Sequence, residues 1–237
     1  MSKALVVLSG GQDSTTCLYW ARGRFDELHA LSFDYGQKHR AELVAAQRVA
    51  VMASIASHEV VMMGGILRGT SPLIDPTASL ETYPDFATMD RIIGDRVELT
   101  FVPMRNLLFL TIAANRAVVL GCKAIITGIC QADNANYPDC REVFAMEAEC
   151  AINVALGRDD GIGGIGVITP LMHLSKAETV RLAASLPGCL DALAYSHTCY
   201  AGRFPPCGEC HACTLRAHGF EEAGIPDPLV RRAAVPA

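Results

Sequence analysis

The sequence predicts an α/β fold in which helices cover both faces of a parallel sheet, followed by a small C-terminal region with four clustered cysteines. Short apolar runs alternate with longer segments of helical periodicity, which is typical of such sheets. With 237 residues, 51% of them hydrophobic, the chain can bury the core of one large domain. We expect that domain to span residues 1–190, with an insertion near residues 64–99, and the cysteine region to span residues 191–237.

The first apolar run, residues 4–8, predicts a buried strand that leads directly into Ser-Gly-Gly-Gln-Asp-Ser at residues 9–14. The two glycines let the backbone bend sharply and approach a ligand closely. The N–H groups at the start of the following helix lack intrahelical partners and favour an anion. We therefore predict a phosphate-binding loop, with Asp13 or Ser14 capping the helix; an ordinary strand–turn–helix corner is the alternative. The loop lacks the Gly-Lys-Ser/Thr ending of a Walker motif.

Further strands and helices alternate along the chain. Apolar runs and periodicity predict strands over residues 29–33, 58–63 and 124–127, and helices over residues 39–57 and 105–120. Ligands of parallel sheets bind beyond the carboxyl ends of the strands. We therefore expect three polar loops to meet at one edge of the sheet and form a single site, at residues 9–14, 34–37 and 128–139.

Two segments interrupt this pattern. Residues 64–99 contain Pro72, Pro76 and Pro84 among small polar residues, and loops of this length are often functional. We interpret the segment as an insertion, either a lid over a nucleotide or a surface excursion. Residues 157–166 are rich in glycine and predict a mobile loop, which either covers a substrate or is only flexible.

The ten cysteines fall into two groups. Six are dispersed, and a chain of this length needs no disulfide framework. The other four follow the spacing Cys-x7-Cys-x2-Cys-x2-Cys and are Cys199, Cys207, Cys210 and Cys213. Four thiolates complete the tetrahedral shell of Zn²⁺ with no open position, so we predict one structural zinc ion. An iron–sulfur cluster and free buried cysteines are the alternatives.

Charge and hydropathy restrict the class of protein. The net charge of −5 provides no global basic field for a nucleic acid. No apolar run approaches the ~18–20 residues that span a bilayer, and the N-terminal apolar stretch is too short for a signal peptide. We expect a cytoplasmic enzyme with no nucleic-acid or membrane partner. An apolar flank at Leu215 and Phe220 predicts the contact of a homodimer.

Motifs spread over residues 5–216 identify a family. They are Ser9-Gly-Gly-Gln-Asp-Ser-Thr-Thr-Cys17; Phe33-Asp-Tyr-Gly-Gln37 with His39 and Glu42; Val102-Pro103 with Arg105-Asn106; Asp133 with Tyr137-Pro-Asp-Cys-Arg141 and Phe144; Thr169-Pro-Leu-Met172 with Lys176; and the four clustered cysteines. The first resembles the phosphate loop of ATP pyrophosphatases, and together they resemble the 7-cyano-7-deazaguanine synthases, ligases of the queuosine pathway. One departure is His197-Thr198, where an aromatic or serine pair is expected.

The resemblance implies a Rossmann-like fold of the ATP pyrophosphatase type and the synthesis of a nitrile from an acid. The substrates would be 7-carboxy-7-deazaguanine, ammonia and ATP with Mg²⁺. A first ATP adenylates the carboxylate and ammonia then gives the amide. A second ATP adenylates the amide oxygen. That oxygen then leaves as part of AMP, and the nitrile remains. The site must retain the intermediate and exclude water, because acyl-adenylates hydrolyse readily.

Chemistry suggests roles for individual residues. Asp13 and Asp133 offer Mg²⁺ the hard oxygen ligands it prefers, with a simple helix cap as the alternative for Asp13. Lys176 would neutralise the departing pyrophosphate, with a surface lysine as the alternative. Arg105 would pair with a phosphate or carboxylate, with a structural salt bridge as the alternative. The nucleotide would bind along Leu8, Ser9, Gly10, Gly11, Gln12, Asp13, Ser14, Thr15, Thr16, Cys17 and Leu18.

Tyr137, Asp139 and Arg141 are the candidates for binding the deazaguanine. A carboxylate accepts from the N–H and amino edge of the ring, and an arginine pairs with the 7-carboxylate. Cys140 is interpreted as structural, because ammonia needs no enzyme thiol. Three other functions compete. A tRNA sulfur-transfer enzyme would need a basic RNA surface, another amide-forming ligase would need free ammonia, and a zinc-ribbon binding module would not need the ATP loop.

Overall fold

Five parallel strands form the central sheet of the computed structural model, which describes residues 1–38, 40–131, 136–158 and 163–234. The strand order is β3-β2-β1-β4-β5. The strands are β1 (Lys3–Val7), β2 (Glu27–Asp34), β3 (Ser57–Met62), β4 (Ala124–Ile126) and β5 (Gly166–Ile168). The predicted α/β class and four of the strands are therefore confirmed.

The fifth strand was not predicted. Gly166 was assigned to a glycine-rich loop, but it begins β5, which pairs with β4 at the edge of the sheet. The strand is only three residues long, which is too short for its sequence to show a strand pattern. It is defined by its parallel pairing with β4, in which Ile168 lies opposite Ile126. Of the predicted loop, residues 159–162 lie outside the described part of the chain.

Nine α-helices and one short 3-10 helix are found in the described residues. The α-helices are α1 (Gln12–Arg22), α2 (Ala41–Met52), α3 (Phe86–Ile93), α4 (Arg105–Leu120), α5 (Glu142–Ala155), α6 (Lys176–Ser185), α7 (Cys189–Leu193), α8 (His211–Ala223) and α9 (Pro228–Ala233), and the 3-10 helix is Pro138–Cys140. Helix α4 has the predicted bounds, whereas α2 ends at Met52, earlier than predicted, because the chain must turn before β3. No helix in the described ranges combines the length and apolarity needed to cross a membrane.

Two hydrophobic cores lie on opposite faces of the sheet. On β1, Ala4 and Val6 face the core shared with α1, α2 and α6, whereas Leu5 faces the core shared with α4 and α5. Alternate residues of a strand point to opposite faces, so a strand that is covered on both sides reads as a continuous apolar run. This burial fixes β1 in the centre of the sheet and places the loop that follows it at the middle of the carboxyl edge.

The insertion packs against the cysteine region. The Tyr83 N–H donates to the Glu209 carbonyl at 2.7 Å, and Thr82 pairs with Cys210 in an isolated antiparallel bridge. The rings of Phe86 on α3 and His218 on α8 stack with centroids 3.7 Å apart. The insertion is therefore anchored along residues 82–93 and is not a detached surface excursion.

The predicted dimer flank is not available. Leu215 is buried against α3, and Phe220 is buried in the core that α8 shares with α1 and α6. The prediction that these two side chains offer an apolar contact to a second chain is wrong, because tertiary packing within the chain already covers them. Any homodimer of this protein must use another surface.

Candidate active site

A cavity of about 320 Å³ opens at the carboxyl edge of the sheet. The three predicted loops meet there: its walls include residues 9 and 11–14 after β1, residues 35 and 37 after β2, and residues 128–131 after β4. The cysteine region contributes residues 197–200 and the first turn of α8. This volume lies within the ~300–1,000 Å³ of typical small-molecule sites. The convergence follows from the parallel sheet, since all five strands end on this side.

The phosphate-type loop depends on Gly10. Its φ of +88° lies in the left-handed region, and a Cβ built on it would lie 2.3 Å from the carbonyl oxygen of Glu42 and 2.6 Å from the backbone nitrogen of Ala46. Only glycine satisfies both conditions. The loop is therefore pressed against the backbone of α2. Gly11 has a φ of −78° and only ordinary contacts around its position.

Hydroxyl groups hold the loop in shape. The Ser9 and Ser14 Oγ atoms are 3.0 Å apart, and the Gly10 N–H donates to the Ser14 Oγ at 3.2 Å. The expectation that Asp13 or Ser14 caps α1 is wrong. Helix α1 starts at Gln12, so Asp13 and Ser14 both lie inside its first turn. The N-cap is Gly11, which has no side chain to accept a hydrogen bond. The N–H groups of that turn lack side-chain capping from Gly11 and border the cavity.

Asp13 pairs with Lys176 across the cavity wall. The Lys176 Nζ lies 2.9 and 3.1 Å from the two Asp13 carboxylate oxygens, and the lysine side chain is only 8% exposed. Lys176 is the first residue of α6, where the helix dipole disfavours a cation. The absent side chain of Gly219 makes room for it, since a Cβ there would lie 2.5 Å from the Lys176 Cγ. The surface-lysine alternative is therefore excluded.

Glu42 and Arg105 add opposite charges to the same cavity. Arg105 begins α4, and its guanidinium carbon lies 6.0 Å from the centroid of the Tyr35 ring. In the described part of the chain, neither side chain forms an ion pair, which argues against a purely structural salt bridge for Arg105. Burial raises the pKa of the Glu42 carboxyl to about 7, although the positive charge of Arg105 acts in the opposite direction.

The three candidate substrate residues occupy different environments. Tyr137 and Arg141 both line the cavity. The Tyr137 hydroxyl hydrogen-bonds with the Thr100 hydroxyl and also lies 3.4 Å from a Glu98 carboxylate oxygen, so mainly its ring is left for a ligand. Asp139 does not belong to the cavity wall. Its carboxylate accepts from the Asn106 backbone N–H at 3.4 Å, and its carbonyl accepts from the Asn106 amide at 3.1 Å.

Other singled-out residues are placed as follows. Asp133, a candidate Mg²⁺ ligand, lies outside the described residues. Cys140 lines the cavity and accepts from the Asn106 side-chain amide at 3.6 Å. The His197 backbone N–H donates to the Gly10 carbonyl at 2.8 Å, and the His197 Nε2 lies 3.1 Å from the Cys199 carbonyl. His197 therefore joins the cysteine region directly to the phosphate-type loop.

Several lining residues were given no role in the site by the sequence analysis. The Phe33 and Phe109 rings stack with centroids 4.0 Å apart on the β2 side. Tyr200 and His211 reach the cavity from the cysteine region. His211 is 4% exposed, and neither ring nitrogen has a hydrogen-bond partner among the residues that the structure describes. Adjacency to the clustered cysteines was the one sequence signal that could have found Tyr200 and His211.

The four predicted cysteine ligands converge on one point. The Cys199, Cys207, Cys210 and Cys213 sulfur atoms all lie within 4.8 Å of one another. A tetrahedral ion with Zn–S bonds of about 2.3 Å places its sulfurs about 3.8 Å apart, and the Cys207 and Cys213 sulfurs are 3.9 Å apart. Hydrogen bonds from the Cys210 and Cys213 thiols hold the pKa of Cys199 well below its usual value. This donor set suits a metal ion that prefers thiolates.

Comparisons with known proteins agree with this architecture. The family model described as "Queuosine biosynthesis protein QueC" matches residues 3–224. A protein from Laribacter hongkongensis named 7-cyano-7-deazaguanine synthase is 51% identical over 231 residues, which cover 98% of this chain and 95% of the relative. Proteins of the same name from Gloeobacter violaceus and Chromobacterium violaceum are 48% and 49% identical, each covering 97% of this chain and, respectively, 96% and 94% of the relative.

Similarity to solved structures is lower. A 4-thiouridine synthetase in complex with RNA and ATP shares 16% identity and a TM-score of 0.49, covering 98% of this chain and 52% of that one, which is too weak to bear on function. The family model spans nearly the whole fold, including the phosphate-type loop and the cysteine cluster. The chain belongs to the QueC family of queuosine biosynthesis proteins.

Proposed function

We propose that this protein is an ATP-dependent ligase that converts 7-carboxy-7-deazaguanine and ammonia into 7-cyano-7-deazaguanine, the activity for which its relatives are named. The observation that carries the proposal is the shared cavity. The phosphate-type loop, the Asp13–Lys176 pair and the Glu42 and Arg105 charges all border one space of about 320 Å³. ATP and an acid that it activates can therefore occupy the same site.

Two activations are required by the chemistry. Neither the carboxylate oxygen nor the amide oxygen leaves readily as hydroxide or oxide, so each must first be joined to the α-phosphorus of ATP with release of pyrophosphate. Attack of ammonia on the adenylated acid forms a C–N bond and releases AMP. Adenylation of the amide oxygen, followed by loss of AMP and of the protons on nitrogen, leaves the nitrile. An active site closed to water protects both intermediates.

The first turn of α1 and Lys176 support the triphosphate in this proposal. The unsatisfied N–H groups of the turn and the positive end of the helix dipole favour phosphate oxygens. The buried Lys176 ammonium supplies a point charge where pyrophosphate departs. A bound Mg²⁺ ion would neutralise phosphate charge, and the Asp13 carboxylate, together with Asp133, is a hard ligand suited to it. The residues from Leu8 to Leu18 form the proposed nucleotide site.

Arg105 and Arg141 are the proposed partners of the reacting acid. Both line the cavity, and a guanidinium binds a carboxylate through two parallel hydrogen bonds. Tyr137 would offer its ring to the planar heterocycle, since its hydroxyl is committed to Thr100 and Glu98. The 7-carboxylate is lost as its oxygens leave, so an arginine that binds it acts mainly on the acid.

The cysteine cluster is the proposed site of one structural zinc ion. Four thiolates leave no coordination position for water or substrate, so the ion supplies stability and no chemistry. Through His197, whose N–H donates to Gly10, the cluster would position the phosphate-type loop. We also place the protein in the cytoplasm, where thiolate ligands stay reduced.

Product analysis tests this function. Purified protein with 7-carboxy-7-deazaguanine, ammonium and Mg-ATP should give the nitrile by mass spectrometry and about two AMP per nitrile, one per oxygen removed. The 7-carboxamide supplied alone should be converted with about one AMP. A reaction that stops at the amide under saturating ATP would reduce the proposal to a simple amide ligase, and release of no AMP with the acid would overturn it.

A further inference from the structure

We propose that Glu42 recognises the guanine-type edge of the substrate by accepting hydrogen bonds from its ring N–H and its exocyclic 2-amino group. The inference rests on the proposed function and assigns its substrate specificity to one residue. It differs from the expectation from sequence, in which Asp139 has this role.

The position of Glu42 is fixed by the phosphate-type loop. Glu42 lies in the first turn of α2, and its own carbonyl oxygen is the atom against which Gly10 is pressed. Its side chain lines the cavity. A ligand held by Glu42 is therefore held at a set distance from the loop that binds the phosphates, as a reaction between the two substrates requires.

Among the described residues, the Glu42 carboxylate has no hydrogen-bond or ion-pair partner. Within the described ranges, the cavity wall contains two carboxylates, Asp13 and Glu42. Asp13 is paired with Lys176, whereas no hydrogen bond or ion pair reaches the Glu42 carboxylate in those ranges. A partly buried carboxylate without donors loses hydrogen bonds to water and gains none within the protein in return. Donors from a ligand would supply the missing hydrogen bonds.

Glu42 and Arg105 together match the hydrogen-bonding edge of the six-membered ring of a 7-deazaguanine. The six-membered ring of a 7-deazaguanine presents an acceptor, the 6-oxygen, followed by two donors, N1–H and the 2-amino group. An arginine is only a donor and an ionised glutamate only an acceptor. The 6-oxygen lies next to the 7-carboxylate, so Arg105, with five N–H donors, can donate to both. Glu42 beside the two N–H groups would satisfy the rest of the edge. Tyr35, Tyr137 and Tyr200 in the same wall supply aromatic surfaces for a planar ring.

The acid and the amide carry the same edge. A loss at Glu42 should therefore weaken both substrates alike, whereas a loss at a carboxylate-binding arginine should weaken mainly the acid. Comparing the losses on the acid and on the amide therefore distinguishes residues that bind the ring from residues that bind the reacting group.

The test removes one donor from the ligand and the acceptor from the protein. Calorimetric titration with a non-hydrolysable ATP analogue present would compare 7-carboxy-7-deazaguanine with its analogue that lacks the 2-amino group. Wild type should prefer the parent acid by about tenfold or more, the factor expected for a hydrogen bond to a charged group. Glu42→Ala should reduce this preference to within about threefold, because the acceptor is gone. Glu42→Gln keeps one uncharged carbonyl acceptor and should show a preference between those of the alanine variant and the wild type.

Two controls accompany the variants. Asp139→Asn alters the carboxylate outside the cavity and should retain the wild-type preference for the 2-amino group. Binding of the ATP analogue to each variant reports an intact fold. A Glu42 variant that binds the ATP analogue and retains the wild-type preference overturns the inference, even if nitrile synthesis by the wild type is established. Absence of AMP release and of acid binding in the wild type would instead overturn the proposed function and this inference together.

Discussion

Replacing Gly10 with alanine should damage the fold far more than the same replacement at Gly11. Alanine at Gly10 must adopt a φ of +88° and place its Cβ 2.3 and 2.6 Å from two backbone atoms of α2. A non-glycine residue in a sparsely populated backbone region costs about 1–3 kcal/mol. Forcing α2 away from the loop adds the cost of overpacking, also about 1–3 kcal/mol.

The expected loss of unfolding free energy for Gly10→Ala is therefore about 2–6 kcal/mol, a large part of the ~5–15 kcal/mol of a whole domain. Gly11→Ala is the matched control. Its φ of −78° suits alanine, and the nearest atoms to the new Cβ lie 3.4 and 3.6 Å away. Alanine is a poor N-cap, so a loss of less than about 1 kcal/mol is expected.

Urea denaturation followed by circular dichroism measures both variants. The midpoint for Gly10→Ala should fall clearly and that for Gly11→Ala only slightly, with similar slopes. In thermal melts the first variant should lose roughly 4–24 °C, given ~2–4 °C per kcal/mol for a chain of this size. If Gly10→Ala is as stable as Gly11→Ala, the loop is not pressed against α2 and this reasoning fails.

Three further predictions concern the charges and the metal. Lys176→Met, which keeps the length of the side chain but removes its charge, should abolish AMP formation; AMP release at the wild-type rate would exclude Lys176 from the reaction. Elemental analysis should find about one zinc per chain, and Cys207→Ser should lower zinc content and melting temperature together; iron absorbance without zinc would contradict the assignment. Arg141→Ala should reduce turnover of the acid more than that of the 7-carboxamide, because only the acid carries the carboxylate that Arg141 is proposed to bind. Equal losses on both substrates would indicate that Arg141 binds the ring instead.

The secondary structure near the site could be largely predicted from local sequence. The continuous apolar run of β1 predicts a strand covered on both faces, and the glycine loop after it predicts a helix start that faces a ligand. The structure bears out the covered strand and places the helix start beside the cavity, because both depend on side-chain alternation and backbone freedom, which are local properties. The strand β5 escaped prediction because three residues carry too little periodicity, and its pairing with β4 depends on distant residues.

Many members of the site could be named from the sequence, but their partners could not. The sequence by itself determined the parallel sheet, the edge at which its loops meet and the four cysteines that converge. Only the tertiary structure decided that Asp13 pairs with Lys176, which lies 163 residues away, and that Asp139 accepts from Asn106 outside the cavity wall. It also decided that Glu42 lies in the cavity wall with no ion pair to any other described residue. The reason is physical: periodicity and turn chemistry act over a few residues, whereas the direction and pairing of a side chain are set by whichever helices pack against it.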